Sequence, residues 1–197
     1  MMLIEETGVL DAVLPLDAFK AHLRLGSGFD ADDVQDTLAR SFLRAAMAAI
    51  EARTGKVLIS RTFIWTVSAW REPYGQVFPV APVVAINSVT QVARDGGQVQ
   101  VDAADYWLER DMQRPRLRAG GSALPTVPAG GAVKVSFVAG FGPDWASIPG
   151  DLTQAVLMLA AHYYEYRNDT GLADGCMPFG VSSLIERYKA VRLGFGG

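Results

Sequence analysis

His162 and Glu165 stand three positions apart, a spacing that would put both on one helix face and offer a metal two ligands. Two ligands are too few, and the other histidine, His22, is remote in sequence. The better reading is a packed histidine among Tyr163, Tyr164 and Tyr166. Cys176 is the single cysteine, which excludes a disulfide framework within the chain and a multi-cysteine zinc module. No base or nucleophile signature surrounds it. Thr54-Gly55-Lys56-Val57 has the Gly-Lys of a phosphate-binding loop but lacks its upstream glycine and its following Ser or Thr. Asp32 and Asp33 read as charge at a helix start, and Asp102 and Asp105 as solvated loop charge, rather than acid–base pairs. The expectation is no catalytic set, no metal site, no cofactor and no enzymatic activity.

Two other constellations point to binding. Arg110, Arg114, Arg116 and Arg118 are crowded together, and the last three alternate, which on a strand places them on one face. Such a row could meet a charged partner, with Glu109 and Asp111 partly neutralising it; the competing reading is a solubilising edge strand guarded by Pro115. The second constellation is the C-terminal stretch. Phe179, Leu184, Tyr188, Val191, Leu193 and Phe195 interleave with Arg187, Lys189 and Arg192, an amphipathic, then glycine-spaced pattern suited to docking in a partner's groove.

The elements that must position these residues follow from periodicity. Leu16, Phe19 and Leu23 give helical spacing after Pro15. A longer helix reads from about residue 30 to 54, with Leu38, Phe42, Ala45, Ala46, Ala49 and Ile50 as its apolar stripe and Gly55 as its stop. From Lys56 the period changes to two. Strands are expected over 57–59, 61–70, 77–80, 83–94, 98–101, 106–109, 114–117 and 132–139, with Asp95-Gly96-Gly97 closing a hairpin. Helices return over about 151–167 and 181–192. The predicted fold class is α+β: a small helical bundle formed by front and back helices, carrying an inserted antiparallel β-rich subdomain. The expected division is residues 1–56 and 141–197 for the helical core and its docking tail, and 57–140 for the insertion.

Charge and composition narrow the partners. Among 197 residues, 21 are acidic and 18 are Lys or Arg, a formal charge of −3, so no global positive field attracts nucleic acid. Residues 1–16 hold three acids and neither Lys nor Arg, unlike a basic secretory leader. The apolar stretches 77–86 and 155–161 are too short to span a bilayer. The expectation is a protein of the producing cell's cytoplasm, with no membrane partner.

Four stretches carry a family resemblance: Glu51-Ala52-Arg53-Thr54-Gly55-Lys56-Val57-Leu58 before the strand Arg61-Thr62-Phe63-Ile64-Trp65; Phe78-Pro79-Val80-Ala81-Pro82-Val83 before Ile86-Asn87-Ser88-Val89; Val135-Ser136-Phe137-Val138-Ala139-Gly140-Phe141-Gly142 before Ile148-Pro149; and the back helix over 152–167 with Pro178-Phe179-Gly180-Val181. In this order they resemble the head–tail connector (adaptor, or head-completion) proteins of long-tailed bacteriophages and gene transfer agents. The resemblance implies a non-enzymatic homo-oligomer, a ring of twelve under the portal protein. Such a ring extends the channel through which double-stranded DNA passes without sequence-specific binding, and seats a tail-side stopper or tail-completion protein. It implies a protein made in the bacterial cytoplasm and then built into the particle at its head–tail junction. It also implies portal contact through Phe179, Tyr188, Arg192, Leu193 and Phe195. The alternative is another tail-associated binding module whose β domain recognises a ligand through exposed aromatics such as Trp70, Tyr74 and Trp107.

Overall fold

The structure, a computed structural model, describes residues 1–23, 33–167 and 177–189. It is an α+β fold whose chain divides into two compact units, one of Met1–Gly8 and Ile59–Pro143, the other of Val9–Leu58 and Asp144–Gly197.

The first unit is built of strands β1 (Met2–Glu5), β2 (Arg61–Val67), β3 (Gly75–Val77), β4 (Val83–Val92), β5 (Gln98–Gln100), β6 (Tyr106–Glu109), β7 (Arg116–Ala119) and β8 (Ala132–Ala139). They form an antiparallel five-stranded sheet in the order β1-β2-β8-β4-β5 and a three-stranded sheet in the order β3-β7-β6. The alternation of β2 is what the period of two predicts. Phe63, Trp65 and Val67 are buried while Thr62, Ile64 and Thr66 are half-buried, and β8 answers with buried Val133, Val135, Phe137 and Ala139. Phe63 pairs with Phe137 across the strands and their rings stack at 5.6 Å, with Phe78 tilted 4.8 Å from Phe137 and 5.5 Å from Trp65. Fully burying each such side chain contributes about 1.5–3 kcal/mol, so this aromatic cluster anchors the unit. The hairpin between β4 and β5 closes as expected, with Gly96 at φ +91° and the Gly97 N–H donating to Asp95 Oδ1 at 2.9 Å.

Several expectations are corrected. Residues 57–59 form no strand; Ile59 makes only an isolated bridge to Gly142. The strand expected at 77–80 lies at Gly75–Val77, ahead of Pro79, which has no N–H to give to a ladder. The strand expected at 114–117 is Arg116–Ala119, two positions later. β1 was not anticipated. It is an edge strand with Met2 and Ile4 exposed, so it lacks the buried alternation that marks a strand in a sequence.

The second unit contains α1 (Leu16–His22), α2 (Asp33–Thr54), α3 (Gly150–Glu165) and α4 (Phe179–Ile185). Helix α3 packs on α2 and α4, and α1 packs on both α2 and α3. The buried residues of α3, Leu152, Ala155, Val156, Leu159, Ala160 and Ala161, match the predicted face, with Tyr163 half-buried at its edge. The stripe of α2 is rotated from the predicted one. Ala39, Leu43, Ala46, Met47 and Ile50 are buried, whereas Leu38 and Ala45 are exposed. Apolar residues on α2 outnumber one helical face, and the packing of α1 and α3 decides which of them go inside. Gly55 stops the helix at φ +66°, its N–H donating to Glu51 O at 2.8 Å. Arg44 ties the incoming chain to α2 through Val9 O at 2.7 Å and Asp11 Oδ1 at 2.5 Å. That hydrogen bond and the guanidinium charge hold the Asp11 carboxyl below its ordinary pKa. No helix among the described residues is long and apolar enough to cross a membrane.

Candidate functional site

Helix α4 ends at Ile185, before the apolar pattern of the sequence does. Val181 and Ile185 bury themselves on α3, after which Glu186–Tyr188 tightens into a 3-10 turn and Lys189 is extended. The helix expected through residue 192 therefore gives way after Ile185. The turn swings Tyr188 inward, where it is buried and its hydroxyl donates to Asp151 Oδ1 at 2.7 Å, in the first turn of α3. Arg187 closes the clasp. Its Nε lies 2.8 Å from Asp151 Oδ2, its Nη2 donates to the Tyr188 hydroxyl at 2.5 Å, and its guanidinium sits 4.7 Å from the Tyr188 ring centroid. Burial, reinforced by the bond to Asp151, raises the Tyr188 phenol above its ordinary value; the bond to the phenol oxygen, with the Asp151 charge, raises Arg187. Gly180 lets α4 approach α3 closely, since a Cβ there would lie 2.9 Å from Met158 Cε.

Of the five residues expected to meet the portal, Phe179 is the exposed one, with 89% of its surface open at the start of α4. Tyr188 is an internal anchor in this unit. Arg192, Leu193 and Phe195 lie outside the described residues.

The arginine cluster sits on and beside the three-stranded sheet. Arg116 and Arg118 share a face of β7, while Arg110 and Arg114 belong to the turn joining β6 to β7, so the alternating row is two residues long rather than three. Arg118 pairs with Glu109, which raises its already high pKa, and Arg116 Nη1 lies 3.2 Å from Glu72 Oε2. Asp111 organises the turn by accepting the N–H groups of Gln113 at 2.6 Å and Arg114 at 2.5 Å. Arg110 donates to Val84 O at 3.2 Å. Sequence reasoning found Glu109 as a neutralising acid and missed Glu72, which is 44 positions from Arg116 and gave no local sign of pairing.

The residues weighed for reaction chemistry take structural places. The His162 ring lies 4.7 Å from that of Tyr166. Asp102 accepts the Ala104 N–H at the start of a 3-10 turn that includes Asp105. An open cleft of about 530 Å³ in the β unit is lined by Gln91, Gln100, Asp102, Asp105 and the 121–126 loop, and Gln91 Nε2 donates to Thr126 O at 2.6 Å across it. No group of three or more His, Cys, Asp or Glu able to hold a metal ion occurs among the described residues, and Cys176 lies outside them.

The described residues thus present an exposed phenylalanine at the start of α4 and a sheet face of paired arginines beside an exposed tryptophan. Comparison with solved structures supplies the class. A chain of the neck of an empty GTA particle computed with C6 symmetry is 48% identical at a TM-score of 0.90, covering 100% of this chain and 99% of that one. A chain of the neck of a native GTA particle computed with C12 symmetry is 45% identical at a TM-score of 0.85, with the same coverage. A chain of the virion of a native gene transfer agent (GTA) particle is 47% identical at a TM-score of 0.88, again over 100% and 99%. No protein-family model and no curated protein matches the chain. The chain belongs to the family of structural neck proteins of gene transfer agent particles.

Proposed function

We propose that this chain is the ring-forming adaptor of a particle neck. Twelve copies sit under the portal protein, extend the DNA channel and seat a tail-side stopper or tail-completion protein. The observation that carries the reading is the match of the whole chain, at 45–48% identity, to chains in necks computed with C12 and C6 symmetry. A closed ring of identical subunits uses two different patches of each copy head to tail, and the arginine–aromatic sheet face and the α4 region supply material for more than one contact. In this reading Phe179 is the exposed, described residue of the portal-facing segment, on the helix that precedes the Tyr188–Asp151–Arg187 clasp. The chain's formal charge of −3 suits a passage through which duplex DNA slides without being retained. In this reading the protein is made in the cytoplasm of the producing bacterium and joins the particle at the head–tail junction.

The test is the size and mass of purified protein mixed with portal. Co-migration as a complex many times the mass of one chain is the expected result. Separate migration, together with particles that stay complete when the protein is deleted, would contradict the reading.

A further inference from the structure

The three-stranded sheet has an outer face whose occupants are fixed by register. Trp107 on β6 stands opposite Arg118 on β7, which stands opposite Gly75 on β3; one step along, Glu109 is opposite Arg116. The alternate positions turn to the other face, where Leu117 and Gln76 are buried. Gly75 keeps the row low. A Cβ there would lie 2.9 Å from Arg118 Cδ, so the arginine stem passes over bare backbone. At the β6 end of the row Trp107 is 52% exposed, and its indole N–H donates to Ala119 O at 3.2 Å.

Trp and Arg held in place by partners in their own chain are among the residue types that dominate protein–protein contacts. The pairing of Arg118 with Glu109 and of Arg116 with Glu72 removes most of the positive charge that would draw a DNA duplex to this face. With Arg110 and Arg114 at the adjoining turn, four arginines face three acids, Glu72, Glu109 and Asp111. The β unit as a whole has eight acidic and eight basic residues, so the chain's net −3 resides on the helical unit, with thirteen against ten.

We propose that the Trp107–Arg118 row is one half of the contact between neighbouring copies of this chain, and that it takes the acidic helical unit of the next copy. The proposal rests on the ring reading above. A head-to-tail ring requires each copy to present two unlike patches, and a slightly basic aromatic face against a net acidic unit gives the contact its sense of direction.

Photo-crosslinking in intact particles tests this. Trp107→benzoylphenylalanine keeps an aromatic side chain at an exposed position of the row. Irradiation should join two copies of the chain, with the linked peptide drawn from residues 9–58 or 144–189. A link only to a different particle protein, or no link in particles that contain the chain, overturns the assignment. The same holds if Val99→benzoylphenylalanine, exposed on the other sheet, links copies with equal yield. Particles that assemble without the chain would instead overturn the ring reading, and the inference with it.

Discussion

Tyr188 shows how one residue can look like a partner contact in a sequence and serve as an internal fastener in the fold. Its ring is buried and its hydroxyl joins Asp151, 37 positions away, while Arg187 bridges both. Tyr188→Phe removes the hydroxyl's bonds and should cost about 1–2 kcal/mol, read as a lower urea midpoint with an unchanged slope. The same group sets a pH dependence. The folded state holds the phenol above its ordinary value of 10.0, so the stabilisation is complete below that pH and is lost as pH rises through the folded value. Thermal unfolding of the wild-type chain should therefore fall more steeply as pH rises above about 10 than that of Tyr188→Phe. Parallel curves would remove the clasp from the account. Asp11, lowered by Arg44, acts in the opposite sense: its contribution is present above its ordinary 3.8 and is lost on acidification below it.

At the scale of elements, the β unit depends on close backbone approaches and one large apolar layer. Gly140 has φ +140°, and a Cβ there would lie 2.4 Å from the Ser60 backbone, at the end of β8. Gly140→Ala should destabilise by about 2–4 kcal/mol, through strain and a backbone clash together. Leu117, fully buried beneath the arginine face of β7, should cost about 2–5 kcal/mol on truncation to Ala. Chemical denaturation of each variant checks both, and a change below about 0.5 kcal/mol for either would contradict the packing described. Period and punctuation made most elements legible in the sequence: β2, β6, β8, the Asp95-Gly96-Gly97 hairpin and the buried face of α3 lie where apolar spacing puts them. The failures have physical causes. β1 is an edge strand without a buried alternation; α2 has apolar residues on more than one side, so tertiary packing selects the face; and α4 ends in a 3-10 turn because Tyr188 is drawn to a residue on another helix. The candidate site was legible in residue types and not in pairing. Arg116 and Arg118 could be seen in the sequence, but the Arg116 partner, Glu72, becomes a neighbour only through the β3–β7 register.

For the whole molecule, composition excluded more than it identified. One cysteine and two histidines left little material for metal or nucleophile chemistry, and the mild acidity argued against a general nucleic-acid binder. The ordered set of weak stretches pointed to head–tail connectors, and similarity over the full length makes the coarser statement firm, a neck component of gene transfer agent particles. The proposed docking of the C-terminal segment on the portal makes a separable prediction. Deleting residues 193–197 should weaken attachment to the portal while leaving the unfolding midpoint of the chain within about 0.5 kcal/mol of wild type. Phe179→Ala should do the same to a smaller degree, because an exposed side chain contributes little to the fold. Attachment unchanged in both variants would place the portal contact elsewhere.

The central claim is that this chain is a ring of the neck, and a reconstruction of particles from the producing bacterium, with and without the gene for the chain, tests it most directly. The account predicts a twelvefold ring of density at the head–tail junction that fits both units of this fold, and its loss, with heads and tails separated, in the deletion. Whole particles in the deletion, or density for this fold at another place in the particle, would contradict it.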